Sequence, residues 1–224
     1  MAAGAVDAAT YLGLGQVFTA NMTGNTVLLA IAVAEGSGAA AARSGAALAG
    51  FCAGVALGAL SRDPEESRPW PARVWVALVL DLLALAALGI GWGLAGAHPA
   101  SGVRYGLIVA SAVAMGLQSA ATRAAPLSGI STTYMTGTLT RAIEGAVSRA
   151  RPRARESERA TDFRAGTWVV YLCGALAGAF AERAWHAGSV AIPLVFTGAV
   201  TLLAVVLRFG YVWSATPKRP PRME

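Results

Sequence analysis

Ten side chains in this sequence combine a chemistry-bearing type with a place inside or beside an apolar run. Asp7, Asn21, Thr23 and Asn25 fall in the opening stretch GAVDAATYLGLGQVFTANMTGNTVLL, residues 4–29. Asp81 falls inside the apolar run at 74–96, and Gln118, Thr133, Thr136, Arg141 and Glu144 follow within 116–144. An ionised carboxylate at the middle of a membrane helix costs about 2.5–3.5 kcal/mol even on the lenient insertion scale, so Asp7 and Asp81 are the first candidates for ion or proton coupling. Arg141 and Glu144, three apart on one helix face, can pair with each other and join that set. Snorkelling at the interface is their blander reading. Asn21, Thr23, Asn25, Gln118, Thr133 and Thr136 offer neutral hydrogen bonds, with Thr132 and Thr138 beside them. Breaks in membrane helices free backbone N–H and C=O groups, so this set could hold a small polar or anionic solute. The alternative is reciprocal Asn/Thr bonding between helices, worth about 0.6 kcal/mol each on average.

The chain around them has 224 residues, 55 % hydrophobic and 13 % charged, with a mean hydropathy of +0.54. An ordinary soluble domain has about 25 % charged residues, and the deficit reads as a membrane protein. The composition leans on Ala and Gly, which suit close helix packing in lipid. The net charge of +6 would suit nucleic acid, but Arg and Lys sit in short segments between apolar runs and in the C-terminal tail. Basic cytoplasmic loops give the same balance, and no nucleic-acid partner is expected. Cys52 and Cys173 lie in apolar segments without ligand spacing, and His98 and His186 have no HExxH pattern, so neither metal nor cofactor is expected. The run LGLGQVF at 12–18 lacks the final glycine of a dinucleotide loop, and no Walker or Ser/His/Asp arrangement stands out. An enzyme is not expected.

The elements that must position these residues are helices. Residues 3–18 form an apolar helix below the ~20 residues of a span, and 22–34 form a second short one. The segment after Arg43 has Gly50, Gly54 and Gly58 at four-residue spacing, and the segment at 166–184 has Gly174 and Gly178. Such faces let a neighbouring helix, or a second copy of the chain, approach closely. Residues 61–73, with three prolines and mixed charge, form a loop, as does 149–164 with its six arginines. Residues 74–96, 103–122 and 190–209 read as further spans. The tail 211–224 and the Arg-rich loop are expected in the cytoplasm.

The two halves, 1–96 and 103–210, match in order. Met22-Thr23-Gly24 falls on Met135-Thr136-Gly137, the Cys52 helix on the Cys173 helix, and 74–96 on 190–209. The expected fold is therefore an all-α polytopic membrane protein, one domain over 1–224. It would be a bundle of about 6–8 membrane segments built from two internal repeats, each with a broken or short first helix pair. Eight crossings, the preferred count, would make the repeats parallel. A short second segment that fails to cross would make them inverted and would put 61–73, the Arg-rich loop and the tail on one side.

VDAATYLGLGQVFTANMTGN, GLQSAATR, STTYMTGTLTR and the Arg-rich connection before a Gly-rich helix resemble the YoaK-like family of bacterial membrane proteins, a domain-of-unknown-function family. The similarity covers almost the whole chain, and ANMTGN is its most distinctive motif. It implies a multi-pass protein of the bacterial inner membrane and lends no activity. Members usually carry a further apolar stretch before the position of Gly4, so the expectation is either a truncated first helix or a start codon assigned too late. The function expected is a small-solute secondary transporter or permease with its site between the repeats; the alternative is a membrane scaffold or accessory subunit.

Overall fold

The computed structural model describes residues 1–60, 74–124, 135–149 and 158–214. Its α-helices are α1 (Ala2–Gly13), α2 (Met22–Ala34), α3 (Gly38–Leu60), α4 (Val74–Ala95), α5 (Ser101–Ala124), α6 (Met135–Arg149), α7 (Glu158–Trp185) and α8 (Ala191–Ser214). A 3-10 turn at His186–Val190 joins the last two, and no strand occurs among the described residues. Thr132 and Thr133 lie outside the described residues.

Four stretches are long and apolar enough to cross a membrane: Gly38–Leu60, Val76–Ala95, Ser101–Arg123 and Ala165–Leu203. The last has 39 residues, enough for two crossings of ~20 each, and it folds over at the 3-10 turn. Large apolar side chains such as Val33, Leu60, Leu94 and Phe180 are exposed all around the bundle, which suits a hydrocarbon solvent and not water. The interior is built from Val6, Leu14, Val17, Leu85, Leu88, Trp92, Ile108 and Met115. α5 is the central helix, 67 % buried along its most apolar stretch against 22 % for α3.

Small residues set the closest contacts. Gly50 lies against Val109 and Ala112, Gly54 against the Val113 carbonyl, and Gly58 against Ala120, so α3 and α5 run parallel at short distance. Gly116 of α5 returns the contact onto Phe51 and Val55. A second pair repeats the device: Gly174 and Gly178 of α7 lie on the Met1 and Ala5 carbonyls, and Gly4 of α1 lies on Tyr171 and Ala175. The glycine faces are thus filled by the chain's own helices. Gly50, Gly54, Gly58, Gly174 and Gly178, offered by the sequence as an oligomer surface, are occupied within one molecule.

α4 runs antiparallel to α5, with Gly91 near Leu107 at one end and Asp81 bonded to Gln118 at the other. It is also antiparallel to α8, with Gly89 near Val190 and Leu194 and Gly198 near Leu82. Trp92, late in α4, packs on Gly13 at the end of α1, whereas Asp81, early in α4, meets the later half of α5. α1 and α5 therefore run in opposite directions. Eight alternating crossings, the count preferred from the sequence, would have made them run the same way, and the reason for the difference lies in α1 and α2.

After Gly13 the chain reverses through Gly15 at φ +99° and Gln16 at φ +60°. A side chain at Gly15 would be strained by that φ and would meet the Arg43 guanidinium, whose Nε donates to the Gly15 carbonyl at 2.9 Å. The return goes only as far as the level of Asp7, where α2 starts in the same direction as α1. The later part of α2 (Leu28, Ile31, Ala32, Glu35) comes back beside Gly15 and Gln16, around a cavity of about 100 Å³ that Arg43 and Ser44 also line. α1 and α2 together make one interrupted segment, not two crossings.

Candidate functional site

The interruption is held by one carboxylate. Asp7 is 3 % exposed, in the middle of α1. Its Oδ1 accepts the backbone N–H groups of Thr19 (2.9 Å), Ala20 (2.7 Å) and Asn21 (3.3 Å), and its Oδ2 accepts the Tyr171 hydroxyl at 2.9 Å. Those N–H groups lead into the start of α2, where a helix leaves its first donors without intrahelical partners. A carboxylate there is favoured by both the free donors and the helix dipole. Asp7 thus supplies the acceptor that the N-terminus of α2 lacks within its own helix.

The amides complete the joint. Asn21 is the N-cap of α2, its Oδ1 accepting the Gly24 N–H at 3.1 Å. Fully buried Asn25 reaches back to Phe18, accepting its N–H at 3.0 Å and donating to its carbonyl. An exposed peptide in hydrocarbon would cost several kcal/mol, and the Asn25 amide removes that cost as a neighbouring strand would. Tyr11 stacks on Phe18 with ring centroids 4.9 Å apart, closing the apolar side of the return. Thr19 Oγ1 bonds Ser111 Oγ of α5 at 2.8 Å, placing the break at the middle of the central helix.

A second polar centre lies between α4, α5 and α8. Asp81 is fully buried, and its Oδ2 accepts Gln118 Nε2 at 3.2 Å. Gln118 Nε2 is also 3.5 Å from Thr197 Oγ1. Asp81 Oδ1 has no hydrogen-bond partner. A third lies where α1 ends: buried Glu182 accepts the Ser189 hydroxyl at 2.9 Å and stands 3.7 Å from His186 Nδ1, beside Gly13 and the buried Trp92.

The residues singled out by sequence therefore do not form one cluster. Asp7, Asn21 and Asn25 belong to the break, while Gln118 belongs with Asp81. Thr23 and Thr136 are exposed, the latter at the start of α6. Arg141 and Glu144 are also exposed, and Arg141 Nε bonds the Gly137 carbonyl of its own helix at 3.4 Å. Tyr171, Ser111, Thr197 and Glu182 escaped notice in the sequence. A signal existed for two of them, since Tyr171, Gly174, Gly178 and Glu182 are spaced by three and four along one face of α7. Ser111 and Thr197 are single hydroxyls with no pattern around them.

Comparison with known proteins bears on the chain as a whole. Residues 1–203 match the model of the family described as "Protein of unknown function (DUF1275)". The chain is 33 % identical over 209 residues to the UPF0700 transmembrane protein YoaK of Bacillus subtilis (strain 168), covering 91 % of this chain and 90 % of that protein. No solved structure matches. With ANMTGN at the joint that Asp7 holds and apolar helices around it, the chain belongs to the DUF1275 family of transmembrane proteins.

Proposed function

We propose that this membrane protein is a small permease built from two inverted repeats, with its solute path beside the interrupted α1–α2 segment. The observation that carries the reading is the break itself. Residues 14–21 are irregular backbone at the depth of Ser111, and such backbone at membrane depth is tolerated where protein encloses it or where it lines a cavity. Interrupted helices of this kind mark the binding sites of repeat-built transporters. The repeat reading draws support from the two glycine devices, α3 on α5 and α7 on α1, in which Gly54 and Gly174 each meet a carbonyl of the partner helix. The opposed directions of α1 and α5 make the halves inverted.

The same arrangement supports an orientation. The ends of α3 and α8 and the starts of α4 and α7 lie at one end of the bundle, so 61–73, 150–157 and the tail all attach there. That end collects most of the arginines and faces the cytoplasm by the positive-inside rule. At the α2 start, Asp7 already takes the N–H groups of Thr19, Ala20 and Asn21, and Asn21 takes that of Gly24. An anion would have to displace Asp7, so the solute is a neutral or positively charged polar molecule. Exposed Thr23 would be a contact, and Thr136 its counterpart at α6.

The competing reading, a scaffold or accessory subunit, is favoured by the mutual satisfaction of Asp7, Asn21 and Asn25, which is what helix glue would look like. A thermal-shift screen of polar solutes on purified protein, followed by uptake into proteoliposomes, separates the two. The permease reading expects a solute-dependent rise in melting temperature and uptake that Thr23→Ala weakens without lowering the ligand-free melting temperature. Absence of any solute effect, with one stoichiometric protein partner co-purifying, would overturn it.

A further inference from the structure

The break does not use the centre formed by Asp81, Gln118 and Thr197, and that centre is chemically incomplete. Asp81 is fully buried between three helices, where a carboxylate needs a compensating charge or a full set of donors. It has one donor, Gln118 Nε2 at 3.2 Å on Oδ2, while Oδ1 is buried with no partner. No Lys, Arg or His among the described residues makes an ion pair with it. Arg104 is turned to the Pro99 carbonyl at the far end of α5, and Arg123 is exposed more than a turn beyond Gln118.

We propose that Asp81, Gln118 and Thr197 form a binding site for one small monovalent cation of the sodium type. The available atoms are oxygens: the unpartnered Asp81 Oδ1, the Thr197 hydroxyl, and the Gln118 amide, whose half-turn replaces its donor with its carbonyl oxygen at the same place. Oxygen ligands select hard cations, and a single carboxylate balances one positive charge, not two. Each ligand comes from a different helix, α4, α5 and α8, so the ion ties together the pair α4–α8 and the central helix. The next hydroxyl along α8, that of Thr201, is spent on the Thr197 carbonyl at 2.8 Å, which leaves the Thr197 hydroxyl as the one facing Gln118.

Cation binding stands without the permease reading; only its role as the coupling ion rests on that reading. The test uses purified full-length protein in detergent at fixed pH and ionic strength, with choline chloride exchanged for sodium chloride. The expected result is a saturable rise in melting temperature with Na+, about 5–10 °C at a hundredfold excess over Kd. It should be absent in Asp81→Asn and shifted to at least tenfold higher Na+ in Thr197→Val. Direct binding of radioactive sodium to wild type and to Thr197→Val keeps the test open if Asp81→Asn fails to fold. Equal melting temperatures in sodium and choline, or a change that follows pH with no dependence on the cation, would overturn the site. Sodium binding without uptake of any solute would leave the site standing and remove the permease reading.

Discussion

Replacing Asp7 tests the central joint, because two substitutions of that residue should differ strongly. Asp7→Ala removes the acceptor of three backbone N–H groups and of the Tyr171 hydroxyl, all inside the bundle. A buried donor left without a partner costs about 1–3 kcal/mol. Four such groups give at least about 4 kcal/mol even at the low end of that range. For a chain of this length each kcal/mol moves the melting temperature by about 2–4 °C, so a fall of roughly 8–16 °C is expected. Asp7→Asn keeps an oxygen toward the three N–H groups, and the Tyr171 hydroxyl can turn to accept from the new amide. The loss is then charge assistance, about 1–2 kcal/mol, or roughly 2–8 °C. Thermal unfolding of the purified variants, followed by tryptophan fluorescence, reads both. If alanine and asparagine behave alike, or if neither differs from wild type by more than about 2 °C, Asp7 does not hold the start of α2.

The helix contacts and the orientation give further expectations. Gly54→Val should abolish recovery of folded protein, since its Cβ would collide with the Val113 carbonyl, while Gly45→Ala, inside α3 where nothing stands within 4 Å, should leave the melting temperature equal or slightly raised. Asn25→Ala should lower stability by about 2–4 kcal/mol by stranding both peptide groups of Phe18, whereas Thr23→Ala should cost under about 0.5 kcal/mol. Trp92→Phe should be better tolerated than usual for a buried tryptophan, because the indole N–H it removes has no partner; a loss above about 3 kcal/mol in the same melting assay would contradict this. In a background with Cys52 and Cys173 replaced by alanine, Ser67→Cys and Ser157→Cys should react with an impermeant maleimide from the same side of sealed vesicles. Labelling from opposite sides would restore the parallel arrangement.

Much of this architecture was readable from residue types. The glycine spacing announced close helix contacts, and the contacts exist, but spacing does not say which helix fills a face. Gly50, Gly54 and Gly58 could equally have met another molecule; Ala112, Val113 and Gly116 on α5 decided otherwise. Likewise Asn21-Met22-Thr23-Gly24-Asn25 was legible as a polar break. That Asn25 would turn back to the Phe18 peptide, and Asn21 cap the helix, depends on a reversal at Gly15–Gln16 that apolar periodicity cannot register.

What the sequence by itself determined is the solvent and the element type: a charge-poor, Ala- and Gly-rich chain must pair its backbone internally in lipid, and helices do that locally. The interruption at residues 14–21 was visible too, since Asn, Thr and Gly do not otherwise cluster in an apolar segment. Only the tertiary structure decided what the buried carboxyl groups meet, because Asp7 and Tyr171 are 164 residues apart and Asp81 and Gln118 are 37 apart. It also decided that α1 and α2 run the same way and α5 the opposite way, which hangs on how far the chain returns after Gly13. That distance is set by three N–H groups finding one carboxylate, a long-range match that no local pattern records.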